Sequence, residues 1–263
     1  MSHYLREQLG VAHYTRDSYE RRLLNWLGCL DTFFLSQQTP YALFGGSAVA
    51  GYIGHLPRKL HDIDLLVLPK NQKPLKGFLA AKGFKLERTR KSKRAGFLKF
   101  VHRNDIYELI ISVFPGSFRL LNLDDRKLPL IAKYDFSSAI VNAVRRTIRS
   151  FDGQEGVAVS VIPMEDLIIS KLWPTFEPNT VHDLLLLFLA DESLRLDTEY
   201  MRQRIESDSK LSALCHQTYQ YFEGIYHRTA WYELTQRKDN IERVKSLLKE
   251  NIFSVSTGQV STR

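Results

Sequence analysis

The chain has 263 residues, of which 44% are hydrophobic and 25% charged. That is enough to bury one large core or two modest ones, and it excludes general disorder. Its two cysteines, Cys29 and Cys215, sit in no CxxC or Cys/His pattern, which excludes a disulfide framework and a thiolate zinc site. Lys plus Arg exceeds Asp plus Glu by 37 − 29 = +8, a surplus that favours polyanionic partners.

The longest apolar run, Leu184 to Ala190, is seven residues, far below the ~20 needed to span a bilayer. The segment Met1 to Glu7 has no apolar signal-peptide core. A cytoplasmic protein with no membrane partner is the expectation.

In chain order, residues 17–36 read as an amphipathic helix. Tyr19, Leu23, Leu27, Leu30 and Phe34 recur at steps of three or four, and Asp17 with Glu20 forms a capping box. A short strand, Tyr41 to Phe44, runs into Gly45-Gly46-Ser47 and a helix that starts at Ala48. Asp62 to Leu68 is a strand stopped by Pro69, and a helix around Leu75 to Lys82 closes at Gly83. Strands Phe97–Arg103 and Ile106–Phe114 flank a turn at Asn104-Asp105. Two basic clusters stand out: Arg88, Arg90, Lys91, Lys93 and Arg94, then Arg145, Arg146 and Arg149. A solvated loop accounts for either one.

This order predicts an α/β (α+β) fold, a mixed sheet with helices packed on it. The boundary falls at 115–135, where Pro115-Gly116 and Leu123-Asp124-Asp125 look loop-like. Beyond it, a basic segment at Ser137–Arg149 and a hairpin at Phe151–Ile162 lead into helical periodicity. The expected units are a core over 1–120, a mainly helical domain over 121–253 and a frayed tail over 254–263.

Three features carry chemistry. Asp62 and Asp64 alternate with Ile63, Leu65 and Val67, so strand geometry puts both carboxylates on one face, about 6–7 Å apart. Two acids on an otherwise apolar strand repel and lose solvation unless a cation lies between them, and Mg²⁺ takes such oxygens; an exposed edge strand explains the pair as well. Gly45-Gly46-Ser47 lies between strand and helix, where free N–H groups and the helix dipole favour phosphate; a simple turn or cap is the alternative. Glu108 shares a strand face with Ile106, Ile110 and Ser112, opposite Tyr107, Leu109, Ile111 and Val113. If its strand lies beside that of Asp62, three carboxylates converge on a site fit for two metal ions and an NTP. A surface-facing Glu is the other reading.

Gly45-Gly46-Ser47, Arg58, Asp62-Ile63-Asp64-Leu65 and Glu108 together resemble the polymerase-β-type nucleotidyltransferase superfamily. The spacing is most similar to its AbiEii-like toxin nucleotidyltransferases, over residues 40–190. The resemblance implies a nucleotidyltransferase core in which Gly45, Gly46, Ser47 and Arg58 hold the nucleotide. It implies that Asp62, Asp64 and Glu108 are catalytic and bind a pair of Mg²⁺ ions. It further implies an NTP as substrate and an antitoxin-like protein as partner, while the +8 charge favours RNA, such as a tRNA 3′ end, as acceptor.

A helix opening at Pro163, with Pro at N1, carries Lys171 on the stripe of Met164, Leu167, Ile168 and Leu172. Asn179-Thr180 opens the next, which carries Asp183. By resemblance Lys171 and Asp183 face the nucleotide; a snorkelling lysine and a capping acid are the plain alternatives. The sequence departs from the family at Leu60, where Ser or Thr is usual, at Glu108 in place of Asp, and at His182 in place of a basic residue. Two other functions stay open: transfer to an aminoglycoside or lincosamide antibiotic, and a catalytically degenerate binding protein.

Overall fold

The computed structural model describes residues 18–57, 60, 62–89, 92, 96–103, 108–121, 131–150, 153–172, 183–184, 186–187, 196–209, 211–213, 215, 246 and 249. Helix α1, Ser18–Ser36, buries the predicted stripe: Leu23, Leu27, Leu30 and Phe34 are each at most 1% exposed. Strand β1, Tyr41–Phe44, passes directly into α2, Gly45–Ile53. The helix begins at Gly45 and not at Ala48, so the Gly-Gly-Ser segment is its first turn. Strand β2, Asp62–Val67, leads through a 3₁₀ turn at Pro69–Asn71 into α3, Gln72–Ala81. Gly83, at φ +87°, turns the chain into β3, Lys85–Glu87.

Strands β4, Leu98–Arg103, and β5, Glu108–Pro115, are antiparallel. Strands β6, Ser117–Leu121, and β7, Ile131–Asp135, form a separate antiparallel pair where a loop was expected. A short helix α4, Ser137–Val141, precedes β8, Val144–Arg149, and β9, Gly156–Val161. Helix α5, Met164–Lys171, follows with Pro163 as its N-cap, one position before the N1 expected. Residues 183, 184, 186 and 187 are helical, and α6 spans Thr198–Glu206.

Seven strands form one mixed sheet in the order β3-β4-β5-β2-β1-β9-β8. Sheet and helices together make the expected mixed α/β fold. The sheet draws β8 and β9 from beyond residue 120, and a division there would part them from β1, against which β9 runs parallel. The basic segment that contains Arg145 and Arg146 is therefore an edge strand. Asp17, Arg58, His61, Asn104-Asp105, Pro174, Thr180, His182, the aromatic run from Tyr219 to Trp231 and the 254–263 tail lie outside the described residues.

Register fixes what shares a face. Asp62 pairs with Ile110 and Asp64 with Ser112 across β2 and β5, while Val101 and Lys99 continue those rows onto β4 and Lys85 and Glu87 onto β3. The other face carries Ile63, Leu65 and Val67 with Leu109, Ile111, Val113 and Phe100, all at most 2% exposed. Each such side chain contributes about 1.5–3 kcal/mol on burial. This apolar face forces the alternate residues, Asp62, Asp64 and Glu108 among them, to the polar one.

A half-buried polar knot joins α1 to the sheet. The Tyr41 hydroxyl donates to Asp31 Oδ1 at 2.6 Å, Arg145 holds both oxygens of Asp31, and the Ser160 amide donates to the Tyr41 oxygen at 3.2 Å. Burial, with the bond to Asp31, pushes the Tyr41 phenol well above its ordinary range. Arg146 lies over the Tyr52 ring, 4.9 Å from its centroid. No helix among the described residues is long and apolar enough to cross a membrane.

Candidate functional site

The site begins where β1 becomes α2. Gly45 has φ +62°, a left-handed conformation that a side chain resists, and α2 has no side-chain N-cap. Phe44 pairs with Asp64 in the antiparallel β1–β2 ladder, which brings the Asp64 carboxylate onto the first turn of α2. The approach is close: a Cβ at Gly45 would stand 2.3 Å from Asp64 Oδ2. Only a glycine leaves room for that oxygen. The first amides of a helix carry partial positive charge, so a carboxylate or phosphate is electrostatically favoured there.

Ser47, in the same turn, is 1% exposed, and its hydroxyl has no hydrogen-bond partner. A buried orphan hydroxyl costs about 1–3 kcal/mol, a cost that a bound anion or ordered water would offset. Asp62 is exposed and Asp64 half-buried, on one face and one β-strand repeat apart. The glycine cradle, the orphan hydroxyl and the two hard oxygen donors fit a divalent cation carrying a phosphate.

Glu108 is placed differently. It opens β5 opposite Arg103, two residues before the partner of Asp62. At ~3.3 Å per residue and ~4.8 Å between strands, its Cα is about 8 Å from that of Asp62 and about 14 Å from that of Asp64. Its carboxylate takes a hydrogen bond from Arg103 Nε, while Arg103 Nη1 bonds Glu87 and Lys99 approaches Glu87 at 3.4 Å. The bond from Arg103 holds the Glu87 carboxyl below its ordinary range, and the bonds to Glu87 and Glu108 hold the Arg103 guanidinium above its own. Among the described residues, no group of three or more His, Cys, Asp or Glu could hold a metal ion. The structure thus sets Asp64 against Gly45, leaves Asp62 two residues away on the same strand face, and gives Glu108 to an ion cluster on β3–β5.

Lys171 and Asp183 come together, but as partners. Lys171 Nζ donates to Asp183 Oδ2 at 2.8 Å, with the lysine side chain 11% exposed and the aspartate 1%. Leu60, where a hydroxyl was noted as usual, is buried at 2%. The two acids and the glycine turn were legible in the sequence. Asp31 as the holder of Arg145 was not, because 114 residues separate them.

No family model matches the sequence, and no curated protein matches it. Among solved structures, the chain is similar to the lincosamide antibiotic adenylyltransferase LnuA in its lincomycin-bound form, at 18% identity and a TM-score of 0.43, over 65% of this chain and 98% of that one. It is similar to the antibiotic-resistance factor ANT(2'')-Ia at 15% identity and a TM-score of 0.42, over 79% of this chain and 98% of that one. An antigenic nucleotidyltransferase-like protein from Paracoccidioides brasiliensis aligns at 15% identity and a TM-score of 0.46, over 87% of this chain and 94% of that one.

Proposed function

We propose that the chain is a Mg²⁺-dependent nucleotidyltransferase that moves a nucleoside monophosphate from an NTP to an acceptor hydroxyl. The observation that carries this reading is the meeting of Asp64 with the Gly45 turn, a carboxylate set against the first turn of a helix. Asp62 and Asp64 would hold the cation, and Gly45, Gly46 and Ser47 would receive the triphosphate. A bound Mg²⁺ supplies charge neutralisation on the phosphates and orients the chain that leaves as pyrophosphate. The helix dipole adds to this, and Ser47 gains a partner for its orphan hydroxyl.

RNA, as in a tRNA 3′ end, is the acceptor that the surface charge favours. Lys70, Lys73, Lys76, Lys82, Lys85 and Arg88 are exposed along α3 and β3, with no acid between residues 65 and 86. None of them forms an ion pair among the described residues. Lys85 lies in the same cross-strand row as Asp62, so this basic surface reaches the polar face of the sheet. The motif spacing, nearest the AbiEii-like toxins, adds a toxin-like role with an antitoxin-like partner to the same reading.

The test is incubation of the protein with Mg²⁺, labelled NTPs and total tRNA, beside an arm with aminoglycoside and lincosamide acceptors. Label on RNA from the wild type and none from Asp62→Asn is the expected result, with RNA binding that weakens steeply as salt rises. Label on the antibiotics alone would move the acceptor to that class. No transfer to any acceptor, or equal transfer by Asp62→Asn, contradicts the reading.

A further inference from the structure

We propose that Ser112, and not Glu108, occupies the β5 position that faces the cation site, so that this chain binds its cation with two carboxylates. The inference rests on the site described above and concerns which residues complete it. In a parallel ladder, residues in register point to the same side, and Ser112 is the register partner of Asp64 on the strand beside it. Their Cα atoms are therefore about 4.8 Å apart, which lets two short side chains reach one ion. Ile110 stands in the same relation to Asp62 and offers no ligand atom.

Glu108 fails on position and on partner. Its Cα lies about 8 Å from that of Asp62 but about 14 Å from that of Asp64, so Glu108 and Asp64 cannot reach one ion at ~2.1 Å. Its carboxylate is bonded by Arg103, which also bonds Glu87, so the residue completes a cross-strand charge network on β3–β5. Ser112 is 7% exposed and carries a hydroxyl where a carboxylate would give a third charged donor.

A cation held by two carboxylates binds more weakly than one held by three. A second ion, of the kind that lowers the pKa of an acceptor hydroxyl, has no third carboxylate to hold it among the described residues. Acceptor activation therefore falls to the acceptor's own chemistry or to a neighbouring base.

Mn²⁺ binding, read by electron paramagnetic resonance without nucleotide, tests the assignment in the full chain. Ser112→Asp should tighten Mn²⁺ binding by at least about tenfold, and Ser112→Asp with Asp64→Asn should lose that gain. Glu108→Gln, a change at an exposed residue, should match the wild type within about twofold. Thermal melting of each variant confirms that it is folded, and the Glu108→Gln arm stands even if Ser112→Asp is not. A Ser112→Asp protein that binds no more tightly, or a Glu108→Gln protein that loses binding as Asp64→Asn does, overturns the proposal. Transfer of label to RNA is a separate readout: its absence in the wild type would contradict the enzyme and leave the Mn²⁺ result intact.

Discussion

Gly45 and Gly77 show how one substitution takes opposite signs in two places. At Gly45 an alanine meets both a positive φ and an oxygen at 2.3 Å, so Gly45→Ala should cost about 1–3 kcal/mol and displace Asp64. Gly77, within α3, has nothing within 4 Å of an added Cβ, and Gly77→Ala should gain about 0.4–1 kcal/mol. Chemical denaturation of both variants checks the pair; a Gly45→Ala protein as stable as the wild type would mean that Asp64 does not sit on that turn. Asp62, Asp64 and the glycine turn were legible in the sequence because strand alternation and a strand–glycine–helix order are local. The alternation also put Glu108 on the correct face. Its position along the strand is set by register across β2 and β5, which no local pattern records.

Between elements, the Lys171–Asp183 pair ties α5 to the helical residues that follow it. Removing one member of a buried pair leaves the other charged and dry, at about 3–5 kcal/mol, whereas replacing both with apolar groups costs far less. Asp183→Leu should therefore lower stability sharply, and Lys171→Met with Asp183→Leu should recover most of the loss in a thermal melt. Equal losses in both proteins would show that the pair's charges do not matter to the fold. Helices α1, α3 and α5 and strands β1, β2, β4 and β5 follow from periodicity and turn residues. The β6–β7 pair and the place of β8 do not. Their ladders join distant segments, and β8 reads as a charged run because Arg145, Arg146 and Arg149 crowd a strand in which Ile148 alone is buried.

At alkaline pH the molecule's stability depends on groups buried in their neutral forms. Burial pushes the Cys215 thiol up to about 12 and raises the Tyr200 phenol to about 12, with the Asp166 charge beside it. A group whose folded pKa is raised stabilises the fold below its unfolded pKa and loses that contribution as pH rises through the folded value. Stability should therefore fall between about pH 8.5, where an unfolded thiol begins to ionise, and pH 12. Cys215→Ala should flatten the first part of that decline in urea titrations read at successive pH values. A thiol reagent should label exposed Cys29 in the native protein and reach Cys215 only on unfolding. A stability that stayed level from pH 8 to 11 would contradict this.

The proposed activity depends on a nucleotide site built from the Gly45 turn and the Asp62–Asp64 strand. Calorimetric titration of a non-hydrolysable NTP, with and without Mg²⁺, into the wild type and Asp64→Asn tests it most directly. Saturable one-site binding that needs Mg²⁺ and vanishes in Asp64→Asn is the predicted result. Binding that is indifferent to Mg²⁺, equal in the two proteins, or absent from the wild type would contradict it.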